Sequence, residues 1–159
     1  MKIDKYIITY SEVDRHLNDS VFNFMNYSSL LNANRIYDVL KSNNDFYYQR
    51  RIIENWENYE LDTDDLTQEI FSQYLLYDLP QGNDIILFTD EGILNHFAFI
   101  FDSQSFFNFS NIYETYFSME FFQLSYYCVI CPKVGKLKFL DEGGGVNEYA
   151  PQRPQSADN

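Results

Sequence analysis

The spacing of apolar residues changes at Pro80, and that change limits what the chain can fold into. Before Pro80 the spacing is helical. Leu30, Ala33, Tyr37 and Leu40 recur along "SLLNANRIYDVLKSNN" with Ile36 beside them, and Leu66, Ile70, Tyr74 and Tyr77 recur along "DTDDLTQEIFSQYLLYDLP", where Pro80 ends the run. Ser11 is placed to cap a further helix running toward Met25, although Asn18, Asn23 and Asn26 weaken it. "DFYYQRRIIENWENYE" sets Phe46, Ile52, Ile53 and Trp56 against Arg50, Glu54 and Glu57, which predicts a helix over 45–59.

After Pro80 the runs shorten. "DIILF" and "ILNHFAFIF" flank "TDEG", the pattern of a β-hairpin turning at Gly92, and "FFQLSYYCVIC" and "KLKFL" form a second pair around Pro132 and Gly135. "SQSFFNFSNIYETYFSME" is ambiguous, with Asn111 and Glu114 spaced as a capping box for a short helix. These elements predict an α+β fold, a helical N-terminal half packed on a mainly antiparallel sheet of about four strands in the C-terminal half. Leu66, Ile70 and Tyr74 should then pack on Ile86, Phe88 and Phe99. The 159 residues suit one globular domain, predicted over 1–142. From Gly143 three consecutive glycines, two prolines and no periodicity predict a flexible tail over 143–159.

The sequence offers no secretory or membrane signal: Asp4 interrupts Lys2 and Lys5, and no apolar run approaches the roughly 18 residues of a spanning helix. The expected compartment is the cytoplasm, where Cys128 and Cys131 stay reduced.

Charge is segregated. Residues 1–51 carry seven bases and six acids, residues 133–159 four of each, and residues 52–132 carry 14 acids without a single Lys or Arg. The net charge of -13 therefore lies in the middle of the chain. Solubility alone is served by mixed signs, because unmixed charge repels itself. The densest stretch is "ENWENYELDTDDLTQE". Asp62, Asp64 and Asp65 fit the first turn of a helix, where carboxylates complement the dipole by about 0.3–1 kcal/mol each. Glu54, Glu57 and Glu60, at the C-terminal end of the helix predicted over 45–59, have no such explanation.

Direct binding to nucleic acid or to anionic membranes is disfavoured by 11 bases against 24 acids. A basic protein partner is favoured, on a surface formed by Glu54, Glu57, Glu60, Asp62, Asp64, Asp65, Glu69, Asp90 and Glu91, the first six of them clustered at the corner between two antiparallel helices and left unpaired by Arg35, Arg50 and Arg51. Thirteen aromatic rings between Phe97 and Tyr127 add the residue type that interfaces enrich.

Catalytic signals are weak. Cys128-x-x-Cys131 has no second pair, and a strand would place the two thiols on opposite faces, so no metal site is predicted. His96, flanked by Leu94 and Ala98, reads as a core histidine. Cys128, His96 and Asp102 are the residue types of a thiol enzyme, without a local signature. Asp90/Glu91 and Asp64/Asp65 read as a turn and a helix cap, and no cofactor motif occurs. The expected function is a small acidic binding or inhibitor protein, above all an immunity protein neutralising a toxin such as a nuclease. The alternatives are a phage-type inhibitor or DNA mimic blocking a nucleic-acid-processing enzyme, and a small enzyme using Cys128 and His96.

Overall fold

The computed structural model describes residues 2–53, 66–123 and 126–152. Its centre is one antiparallel sheet of seven strands, ordered β1-β4-β3-β5-β6-β7-β2. The strands are β1 (Ile7–Ile8), β2 (Phe46–Ile52), β3 (Ile85–Thr89), β4 (Ala98–Phe101), β5 (Tyr127–Cys131), β6 (Lys136–Leu140) and β7 (Gly145–Pro151). The α-helices are α1 (Tyr10–Asn18), α2 (Ala33–Leu40), α3 (Gln68–Phe71), α4 (Asp90–Leu94) and α5 (Phe106–Phe117).

Side-chain alternation along the strands divides the interior into two cores. Leu87, Val129, Cys131, Leu140 and Val146 face α3, the π-helical turn Ser72–Leu76 that continues it, and α5. Ile86, Phe88, Cys128, Ile130, Leu137, Phe139 and Tyr149 face α1 and α2. A sheet covered on both faces needs strands that are apolar throughout, which is why β3 and β5 are buried at every residue. No described helix is long and apolar enough to cross a membrane.

Several expectations are corrected. The sheet has seven strands and not about four, and helices are not confined to the N-terminal half, since α4 and α5 follow Pro80. Residues 46–52, predicted as helix, form β2. Phe46 and Ile53 stand seven apart, a separation that would give them one helical face. In the structure they lie in opposite cores, as a two-residue period requires. The remainder of that predicted helix lies outside the described residues.

Residues 145–151, expected within a flexible tail, form β7, buried between β6 and β2 at every position but Pro151. The glycine run serves the turn that precedes it: Gly144 takes φ of 76°, a conformation that side-chain-bearing residues resist. Residues 153–159 lie outside the described residues.

Smaller departures have local causes. α1 starts earlier, at a capping box of Thr9 and Glu12, and stops at Asn18. β3 and β4 pair as expected (Ile86 with Ile100), but "TDEG" opens α4 and is not a tight turn, because the Thr89 hydroxyl accepts from the Gly92 N–H at 3.1 Å. Gly92 is required there, since a Cβ would stand 2.8 Å from the Phe97 carbonyl oxygen.

α5 begins at Phe106, with Phe106, Phe109 and Tyr113 on its buried face, so Asn111 is interior to it and not a cap. In the helix predicted along "DTDDLTQEIFSQYLLYDLP", Leu66 is buried as expected, but the other buried residues are Phe71, Leu75, Leu76 and Leu79. The π-helical turn displaces the expected stripe, leaving Tyr77 65% exposed. Leu66, Ile70 and Tyr74 share a core with Leu87 and Phe99, whereas Ile86 and Phe88 belong to the other face.

Candidate functional site

Of the acids proposed as a docking surface, Glu54, Glu57, Glu60, Asp62, Asp64 and Asp65 lie outside the described residues. The other three are held by two separate elements. Glu69 is exposed on the first turn of α3. Asp90 and Glu91 open α4, where Asp90 accepts from the Tyr126 N–H at 3.2 Å and Glu91 from the Tyr113 hydroxyl at 3.3 Å. These two are tied to the fold as well as facing water. Arg50 takes its carboxylate from Asp141, and Arg51 stacks on the Tyr74 and Tyr77 rings at 5.0 and 5.4 Å.

The described acids of 52–132 meet few cations among the described residues. Among the described residues of that interval (Glu69, Asp78, Asp84, Asp90, Glu91, Asp102, Glu114, Glu120), Asp78 alone is in an ion pair. Two of the others serve the backbone: Asp102 accepts from the Ser105 N–H at 2.9 Å, and Glu114 from the Phe121 N–H at 2.9 Å.

The aromatic rings have a different fate from the one expected. Of the 13 between Phe97 and Tyr127, Phe99, Phe101, Phe106, Phe109, Tyr113, Phe121 and Tyr127 are buried, and Phe97, Phe117, Phe122 and Tyr126 pack against a core. Phe107 and Tyr116 are exposed. Core packing accounts for nearly all of them, so the rings add little to a binding surface.

Cys128, His96 and Asp102 are not assembled into a site. Cys128 is fully buried facing α1 and α2, and burial pushes its thiol up to about 12, far from a thiolate at neutral pH. His96, expected in the core, is exposed in the left-handed conformation (φ 65°) at the turn between α4 and β4. Cys131 lies in the opposite core from Cys128, and both are free. Among the described residues no group of three His, Cys, Asp or Glu is placed to hold a metal.

Two polar networks at the β6-β7-β2 end of the sheet had no sequence signal. On the α2 side, the Tyr37 hydroxyl donates to Asn147 Oδ1 at 2.7 Å, the Tyr48 hydroxyl donates to the same oxygen, and Asn147 Nδ2 donates to Asp141 Oδ2 at 2.7 Å. Arg50 grips Asp141 with two bonds, Nε at 2.7 Å and Nη2 at 2.9 Å. Burial raises the Asp141 pKa, but bonds from Arg50, Asn147 and the Gly145 N–H outweigh it and hold the group at about 2. On the α3 side Lys138, only 1% exposed, lies between Asp78 and Glu148 with the Tyr77 ring 5.2 Å away, and Lys136 reaches Asp78 at 2.7 Å. Gln49 adds a bond to Glu148 at 3.3 Å.

The carboxylates and cations of these networks neutralise one another, so they build the fold and leave no reactive group. Comparison with known proteins gives no guide to a role: no family model, no curated protein and no solved structure matches the chain.

Proposed function

We propose that this is an acidic binding protein that docks on a basic protein partner, and that it serves as an immunity protein neutralising a toxin such as a nuclease in the cytoplasm. The observation that carries this reading is the unbalanced charge. The interval 52–132 has 14 acids and no base. Among the described residues, seven of its eight described acids meet no cation. Negative charge left facing water costs a folded chain self-repulsion, and a positively charged partner removes that cost while being steered to the surface. Glu54, Glu57, Glu60, Asp62, Asp64, Asp65, Glu69, Asp90 and Glu91 are the proposed contact residues.

The test is to capture partners at low salt, purify the one retained, and measure its association rate across salt concentrations. The expected partner is basic, loses its activity at one-to-one stoichiometry, and associates about tenfold more slowly with Glu54→Lys/Glu57→Lys/Glu60→Lys, whose melting temperature stays near that of the parent. Association indifferent to both salt and these reversals would remove the electrostatic reading. A partner bound without loss of activity would remove the inhibitory role.

A further inference from the structure

We propose that the protein forms a two-fold dimer by antiparallel pairing of β2 with β2 of a second copy, joining two seven-stranded sheets into one. β2 ends the sheet and, among the described residues, pairs with β7 alone. It is seven residues long, and every residue after Phe46 is exposed, including Tyr47 (40%), Tyr48 (45%) and Ile52 (48%). A long exposed edge is a template for another strand.

The backbone fixes which registers are possible. Two bonds bracket β2: the Ile53 N–H donates to the Gly144 carbonyl, and the Gln152 N–H to the Asp45 carbonyl, each at 2.9 Å. By the alternation of antiparallel ladders, the N–H and C=O of residues 47, 49 and 51 then face β7, and those of 46, 48, 50 and 52 point away from it. A second strand must meet outward residues with outward residues. Pairing β2 about its own midpoint, Gln49, does this along the whole strand. It sets 46 opposite 52 and 48 opposite 50 in both directions, with roughly eight backbone hydrogen bonds.

The side chains fit that register. Tyr47 stands opposite Arg51 of the second copy, and Tyr48 opposite Arg50, so each guanidinium meets a ring and not another cation. A shift of two residues toward the C-terminal end would oppose Arg50 to Arg50. A shift of two the other way would give up part of the overlap. The strand is thus self-complementary in this register, in which Arg50, held by its own Asp141, and Arg51, stacked on its own Tyr74 and Tyr77, each face a ring of the second copy. This dimer is independent of the basic partner, and the two respond oppositely to salt: two chains of -13 repel, so salt strengthens the dimer, whereas it weakens capture of a basic protein.

The experiment is sedimentation velocity of the full chain, with variants at the pairing positions. The parent should dimerise more tightly as NaCl rises. Tyr47→Lys, which opposes Lys to Arg51 twice per dimer, should raise the dimer dissociation constant about tenfold or more, and Tyr47→Lys/Arg51→Glu should restore it by a charge swap. Gln49→Cys sits on the axis in a non-hydrogen-bonded pair, about 4.5 Å between Cα atoms, and should form an interchain disulfide under mild oxidation. The buried Cys128 and Cys131 leave that readout clean. Tyr47→Cys, whose copies lie about 14 Å apart, should not crosslink. A parent that stays monomeric at high salt and high concentration would overturn the proposal, as would equal crosslinking at 47 and 49 or a double variant no tighter than Tyr47→Lys.

Discussion

The centre of the sheet and its β6-β7-β2 end are built by different physics. At β3 and β5 both faces are apolar, and the rings around Phe71 meet Phe106, Phe121, Phe122 and Tyr127 at centroid distances of 5.0 to 5.9 Å. At β6, β7 and β2, the buried positions include Lys138, Asn147 and Glu148, each satisfied by partners from other elements. The centre is held by burial, which is non-directional and tolerates exchange of like-sized groups. The end depends on pairs, and removing one member leaves the other buried without a partner.

That contrast can be broken by substitution. Phe71→Ala should produce the largest effect, a loss of about 3–5 kcal/mol in urea unfolding, because a fully buried ring with four ring neighbours leaves a cavity. A loss below about 1 kcal/mol would mean that the ring cluster is not the foundation of the sheet's centre. Lys138→Ala should cost about 3 kcal/mol by leaving the buried Glu148 without a cation, with Gln49 its remaining partner and Asp78 still held by Lys136, while Lys138→Met, which keeps the volume, together with Asp78→Asn and Glu148→Gln, should recover most of it. If the triple variant is no more stable than Lys138→Ala, the cost comes from packing and not from stranded charge.

Acid should act on the α2 side of the same end. The folded pKa of Asp141 lies below its ordinary value, so its pairing stabilises fully above about pH 4 and is lost as pH falls toward 2. The contribution is roughly 1–2 kcal/mol once solvent screening at the half-exposed Arg50 is allowed for. Asp141→Asn should remove that part of the acid dependence, and an unchanged profile would assign it to other carboxylates. Tyr37→Phe should have the smallest effect, about 1 kcal/mol, since Asn147 Oδ1 keeps the bond from Tyr48.

The same contrast explains what the sequence revealed. Apolar runs such as "DIILF" and "YYCVIC" predict strands and their pairing partners because burial on a pleated sheet requires that pattern and no other information. β7 carries little sequence signal because "GVNEYAP" alternates Asn147 and Tyr149 with Val146, Glu148 and Ala150 on its two faces, and the partners that make Asn147 and Glu148 buriable, Tyr37, Gln49 and Lys138 among them, lie in other parts of the chain. At β2, seven residues separate Phe46 from Ile53, a spacing that fits one helical face as well as two strand faces, so it cannot tell helix from strand. The candidate contact acids were legible only as a charge imbalance. Sequence gives the sum of charges, whereas the fold decides which are neutralised, and Asp78 is the one described acid of 52–132 to be so.

The central claim is that the fold leaves this acidic excess unbalanced. Thermal unfolding of the Tyr47→Lys variant, held well below its dimer dissociation constant so that only the monomer is read, tests it directly as NaCl rises from low to physiological ionic strength. If the acids repel one another across the surface, screening relieves them and the melting temperature climbs by several degrees, most steeply while the Debye length shrinks from about 30 to about 10 Å. A melting temperature that stays level or falls with salt would show that favourable ion pairs already balance the surface, and would contradict the account.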